Sequence, residues 1–189
     1  MNKSCLQLAG LLLGLVLSVP LAAQPASDPD TVILSDTLDY DDAQRQSIFK
    51  GNVILTRGNL VMHADHVVVT EQNDGSQHAV ATTQSAQKVR LRQESPEKYE
   101  LIKGEGQRGE YQSASEQLTL IGQATLTRSI CGQVIDSISG DRIIYNKKTD
   151  TYQAVGGANT PSKRVRSVAK PRAAIERAIA ECKQKSQAR

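Results

Sequence analysis

Between residues 31 and 157 the chain is a succession of short apolar runs broken by Gly, Asn and Asp. They are Thr31-Val-Ile-Leu, Gly51-Asn-Val-Ile-Leu-Thr, Leu60-Val-Met-His, His66-Val-Val-Val-Thr, Lys88-Val-Arg-Leu-Arg, Gln117-Leu-Thr-Leu-Ile, Ala124-Thr-Leu-Thr and Arg142-Ile-Ile-Tyr. β-Branched residues suit a pleated, half-buried surface, and runs spaced roughly 8–12 residues apart with turn residues between them predict strands. No window in this stretch carries a 3.6-residue apolar period, so the body is expected to be all-β: a sandwich, barrel or jelly roll. Past residue 161 the pattern changes. Ile175, Ala178, Ile179 and Cys182 fall at i, i+3, i+4 and i+7, which makes one narrow apolar stripe on a short basic helix. The stripe suits a partner or an anionic membrane surface, but a terminal helix is ordinarily frayed and solvated, and that is the expectation here.

A repeat sharpens the β reading. Tyr40-Asp-Asp-Ala-Gln-Arg-Gln-Ser-Ile-Phe-Lys-Gly51-Asn-Val-Ile-Leu-Thr-Arg57 aligns without gaps on Tyr111-Gln-Ser-Ala-Ser-Glu-Gln-Leu-Thr-Leu-Ile-Gly122-Gln-Ala-Thr-Leu-Thr-Arg128, and a fainter copy places Tyr145 eleven residues before Gly156. Asp36, Gln107 and Asp141 stand four residues before the three tyrosines, and Asp65 four before Val69. Each unit reads as a strand ending in Tyr, a polar turn and a strand entering a Gly, which is a stacked-hairpin architecture. A Gly inside a strand marks a bulge or bend, or a close approach to the backbone, and the bend is the expectation for Gly51 and Gly122.

The N-terminus adds an export signal. Lys3, an uncharged apolar stretch over 6–19 and Leu21-Ala22-Ala23 have the order of a secretory leader, so residues 1–23 are expected to be removed and the mature chain to begin at Gln24. The apolar stretch is shorter than the roughly 20 residues a spanning helix needs. The expected division is therefore a leader over 1–23, a β body over 24–161 and a basic tail over 162–189. Charge follows that division. The body holds 13 Lys+Arg against 18 Asp+Glu, and the tail 9 against 2. The net charge of +3 is too balanced for a nucleic-acid binder, and aromatic residues at 3% leave little for stacking bases or sugars. In an oxidising compartment Cys131 and Cys182 either pair, stapling the tail to the body, or remain thiols, and spacing alone does not decide.

Catalytic signatures are missing from the sequence. It holds no G-x-S-x-G, H-E-x-x-H or G-x-x-x-x-G-K-[ST] pattern and no CxxC, so no enzyme, cofactor or metal is expected. His63 and His66 sit three apart in an expected strand and project to opposite faces, which denies them a common metal. Asp36, Asp39, Asp41, Asp42 and Asp65 stand where turns and strand edges want them. What remains is aliphatic. Ile33, Leu38, Phe49, Val53, Leu55, Leu60, Met62, Val67, Val69, Leu91, Leu118, Leu120, Leu126 and Ile143 either fill a closed core or line a gap that accepts a lipid. Arg57, Arg90, Arg92 and Arg128 are candidates to meet phosphate at a rim.

Five blocks carry a resemblance: Thr31-Val-Ile-Leu-Ser-Asp-Thr-Leu-Asp-Tyr40, Phe49-Lys-Gly-Asn-Val-Ile-Leu-Thr-Arg-Gly58, Met62-His-Ala-Asp-His-Val-Val-Val69, Gly104-Glu-Gly-Gln-Arg-Gly-Glu-Tyr111 and Ser139-Gly-Asp-Arg-Ile-Ile-Tyr145. Together they resemble the OstA-like family, over about the whole body. The resemblance implies a twisted antiparallel β-jelly roll with an apolar groove for lipopolysaccharide acyl chains. It further implies copies stacked head to tail into a periplasmic bridge, with the strand over 31–35 meeting the inner-membrane partner LptC and the C-terminal strands meeting the LptD translocon. Its lipid-contacting positions fall on Thr31, Ile33, Leu91 and Tyr111. With Phe49, Val53, Leu55, Leu118 and Leu120 from the alternating faces, these form the candidate lipid-binding set. The competing expectation is an envelope scaffold or adhesin of the same architecture with a closed core.

Overall fold

The computed structural model describes residues 29–84, 87–158 and 163–187; the expected leader and its cleavage point lie outside them. The strands are β1 (Thr31–Leu34), β2 (Thr37–Asp41), β3 (Gln46–Arg57), β4 (Leu60–Glu71), β5 (Gln77–Thr82), β6 (Val89–Ser95), β7 (Glu100–Gly106), β8 (Arg108–Gln112), β9 (Gln117–Ile130), β10 (Gln133–Asn146), β11 (Thr151–Val155) and β12 (Arg166–Ala169). One helix, α1 (Arg172–Gln187), follows them. All strand pairs are antiparallel.

The pairing resolves into a meander folded down its middle. Each of β3, β4, β9 and β10 pairs with one neighbour over its first half and another over its second: β3 with β2 then β1, β4 with β6 then β5, β9 with β8 then β7, β10 with β12 then β11. The chain thus climbs eight rungs, and every rung crosses from one leaf to the other. The first leaf runs β2-β3-β4-β5-β8-β9-β10-β11 and the second β1-β3-β4-β6-β7-β9-β10-β12. The leaves face each other through side chains. Leu91, Ile102 and Leu126 of the second leaf pack with Leu118, Leu120, Ile143 and Tyr145 of the first. Val53, Leu55 and Met62 likewise meet Val67 and Ala81. Full burial of side chains such as Leu120, Ile143 and Val53 contributes about 2 kcal/mol apiece.

The repeat marks the crossing. Gly51 (φ 78°) and Asn52 (φ 45°) form the extra-residue bulge of β3, and Gly122 (φ 76°) and Gln123 (φ 47°) form that of β9. A left-handed pair costs a glycine little at its first position, which is why the shared Gly sits there. The residue four before Tyr40 and Tyr111 closes the corner. Asp36 N–H donates to the Lys50 and Gly51 carbonyls, and its Oδ2 accepts from Asn52 Nδ2 at 2.9 Å. Gln107 N–H donates to the Gly122 carbonyl at 3.0 Å. The residue five after each tyrosine, Arg45, Glu116 or Asp150, turns the chain with positive φ.

The tail is docked, contrary to the solvated end expected for it. β12 pairs with β10 over 136–139, and Lys170 N–H donates to the Ile135 carbonyl at 2.8 Å. The apolar stripe faces inward, with Ala178 and Cys182 each 3% exposed and Ala178, Ile175 and Ile179 against Ile130, Ile135 and Tyr99. Cys131 and Cys182 form a disulfide with Cα atoms 5.8 Å apart, well inside the range a disulfide spans. The sulfur partners are 51 residues apart in sequence, so neither helix pattern nor turn pattern announced the pairing.

Candidate functional site

The inner faces part at the N-terminal end and leave a cavity of about 190 Å³. Its second-leaf wall comes from Ile33, Leu55, Leu60, Met62 and Leu91, and its first-leaf wall from Phe49, Val69, Ala79, Tyr111 and Leu118. Strand alternation explains the composition, because residues two apart share a face and the apolar member of each pair was selected inward. At the rim Arg57 crosses between leaves. Its Nη1 donates to Thr31 Oγ1 at 3.2 Å, and its guanidinium carbon stands 6.0 Å from the centroid of the Tyr111 ring on the other leaf. The arrangement offers aliphatic walls for a chain and a cation with a hydroxyl at its mouth.

Seven of the nine candidate residues line this cavity: Thr31, Ile33, Phe49, Leu55, Leu91, Tyr111 and Leu118. Val53 and Leu120 do not. Each is 1% exposed and lies in the packed clusters between the leaves. Ala79, Gly109, Gln77, Ser47 and Glu110 also line it, although no apolar run announced them. Small residues facing large ones across a gap leave no trace in a one-chain hydropathy pattern. His63 is exposed on β4, and Ile54 and Arg90 are its register partners on the two neighbouring strands.

The C-terminal end of the same groove is built differently. A second cavity, about 300 Å³, is lined by Glu100, Leu126, Arg128, Asp136, Ile138, Asp150 and Tyr152 together with Ser167 and Ala169 of β12. Arg128, the repeat equivalent of Arg57, donates from Nε to Asp136 Oδ2 at 2.8 Å and from Nη1 to Glu100 Oε2 at 3.1 Å. Burial works against its charge, but the hydrogen bond and charge of Asp136 and the charge of Glu100 outweigh it and hold the guanidinium above its ordinary pKa. Arg128 is therefore already matched by two carboxylates, which removes it from the rim cations expected to meet phosphate. Tyr145 and Tyr152 stack with centroids 4.7 Å apart, and Tyr145 Oη donates to Asp150 Oδ1 at 3.3 Å. Burial and the negative charge of Asp150 push Tyr152 up to about 12. The same causes, with the stacked ring between them in weight, push Tyr145 higher still.

Fold and cavity define a class: an antiparallel β-jelly roll with an apolar cavity between its two leaves. A family model described as LptA/(LptD N-terminal domain) LPS transport protein matches residues 32–151. The chain belongs to that family of transport proteins. Its fold is also that of a solved structure, LptH of Pseudomonas aeruginosa, described as the LptA homologous periplasmic component of the conserved lipopolysaccharide transport device. The two share 19% sequence identity with a TM-score of 0.65, over 76% of this chain and 96% of that one. In all, 22 chains of solved structures match. No curated protein matches the sequence.

Proposed function

We propose that the protein is a periplasmic, non-enzymatic carrier that binds lipopolysaccharide by its acyl chains and stacks head to tail into a bridge from the inner to the outer membrane. LptC is the partner at its N-terminal end, and the LptD translocon at its C-terminal end. The observation that carries this reading is the apolar cavity between the leaves, with Thr31, Arg57 and Tyr111 at its mouth. Engineered cavities of roughly 150 Å³ already take up benzene, so about 190 Å³ admits a stretch of acyl chain while the remainder follows the groove. Burying roughly ten methylenes contributes about 8 kcal/mol, enough to hold a lipid against water. The cargo changes place and not covalent structure, so the groove requires no nucleophile.

The test is equilibrium binding of lipopolysaccharide to the full chain and to Phe49→Asp. Phe49 is a partly buried wall residue, so the variant keeps its strand spectrum and loses lipid affinity by at least tenfold. Unchanged lipid binding by a folded Phe49→Asp protein overturns the groove assignment. A wild-type chain that ignores the lipid favours the scaffold reading instead.

A further inference from the structure

We infer that the Cys131–Cys182 disulfide is a reducible latch: it holds the strap formed by β12 and α1 in place as one wall of the C-terminal cavity, and a dithiol reductant releases that wall while the rest of the fold stays paired. The inference concerns a control on one end of the groove and does not depend on which cargo the groove carries.

The two halves of the latch are anchored unequally. Cys131 (φ 48°) and Gly132 (φ 78°) make the two-residue turn between β9 and β10, and Cys131 N–H donates to the Tyr99 carbonyl at 3.1 Å. Two paired strands of 14 residues each therefore set the place of Cys131 whether or not its sulfur is bonded. Cys182 lies in α1, which rests on the body through Ile175, Ala178 and Ile179 against Ile130, Ile135 and Tyr99, with Gln133 Nε2 donating to Glu181 Oε2 at 3.2 Å. A helix in a protein draws most of its stability from such packing, and this seat is narrow. β12 has less. It is four residues long, every one exposed, and pairs with β10 over 136–139. A disulfide constrains the chain more the longer the loop it closes, and this one joins residues 51 apart. The strap depends on its latch in a way the body does not.

The strap covers something. Ser167 and Ala169 of β12 line the C-terminal cavity beside Arg128 and Asp136. The other walls stand without them, for Glu100, Arg128, Asp136 and Tyr152 belong to β7, β9, β10 and β11, which pair with one another. Release of the strap turns the cavity of about 300 Å³ into an open trough and leaves the N-terminal cavity, lined by residues between 31 and 118, as it was. The chemistry favours the strap as the part that leaves. Cys131 is exposed and Cys182 only 3% exposed, so the thiolate of the reductant attacks the Cys131 sulfur and expels the Cys182 thiolate. The second thiol of the reductant then attacks its own sulfur in the mixed disulfide, expels the Cys131 thiolate and closes the reductant's disulfide. Two electrons pass from the dithiol to the cystine, and the two protons the dithiol gives up end on Cys131 and Cys182.

The experiment is hydrogen exchange read by mass spectrometry on the full chain, oxidised and after dithiothreitol, beside Cys182→Ser, which cannot latch. Timed maleimide labelling of the reduced cysteines, mapped by peptide, runs in parallel. Dithiothreitol is expected to open the disulfide without denaturant. Exchange over 166–187 and 136–139 should then be about tenfold faster or more, in the reduced chain and in Cys182→Ser alike, with 46–71 unchanged. Cys182 should label about as fast as Cys131, and oxidised glutathione should restore protection. Unchanged exchange over the strap of a reduced chain, or a Cys182 that labels about tenfold more slowly than Cys131, shows a strap that stays docked without its latch and overturns the inference. Exchange that rises over 46–71 as well, or a disulfide that opens only in denaturant, shows a staple of the whole fold and overturns it too.

Discussion

The two ends of the groove start from the same repeat and finish as opposites. At the N-terminal end Arg57 faces a threonine hydroxyl and a tyrosine ring, the walls are aliphatic and the flanking strands carry exposed apolar residues such as Leu34 and Leu38. At the C-terminal end Arg128 is held between two carboxylates, two tyrosines stack across the wall and a latched helix packs on the β9–β10 hairpin. The difference teaches that the motif sets where a side chain points, while its neighbours from other rungs set what it does. The Arg57 guanidinium stands at the rim of an apolar cavity, whereas the Arg128 guanidinium is matched by two acids of the fold.

The sharpest way to break this comparison is to put a charge on each kind of wall. Leu120→Asp places a carboxylate where the native residue is 1% exposed, with no partner, and should cost more than about 4 kcal/mol and abolish cooperative unfolding in a thermal melt. A folded Leu120→Asp protein removes the distinction between packed interior and open cavity. Next in size, Arg128→Met strands Glu100, whose side chain is only 12% exposed, and should lose about 2 kcal/mol in urea unfolding after allowance for solvent at the ion pair. Arg57→Met should lose less than about 1 kcal/mol, because its contacts are at a rim. Equal losses at the two positions would show that the ends are not energetically different. A further effect is alkaline. Tyr152 is raised to about 12 in the folded chain against an ordinary tyrosine value of 10.0, so its contribution is fully present below 10.0 and is lost as pH rises toward 12. Near-ultraviolet titration should show Tyr145 and Tyr152 ionising late in the folded protein and at the ordinary tyrosine value in denaturant.

Much of the ladder was legible in the sequence because β-branched runs and the paired Gly repeats carry their own geometry. Asp36 and Gln107 stood out only by their fixed distance from the tyrosines, and their part in the corners shows in their hydrogen bonds. β4 and β9 read as two runs apiece, since inward positions change parity at the crossing: Met62 and Ala64 point in, then Val67 and Val69. β5 and β12 escaped notice because His-Ala-Val-Ala and Arg-Ser-Val-Ala are short of large apolar residues, and their pairing is dictated by strands already in place. Phe49 and Leu120 could not be told apart by alternation, for each faces inward. Depth beneath the opposite leaf separates them, and that is a property of two strands distant in sequence. The same holds for the tail, whose stripe was visible but whose seat, Ile130 and Ile135 beside Cys131, was not.

The crossing at Gly51 and Gly122 also has a mechanical meaning. Every ladder hydrogen bond lies within a leaf, and apart from the strands that cross between them the leaves meet through side chains. The bulges therefore act like the spine of a book. Opening the pages would turn backbone angles at the spine and separate aliphatic contacts while the hydrogen bonds within each leaf stay paired.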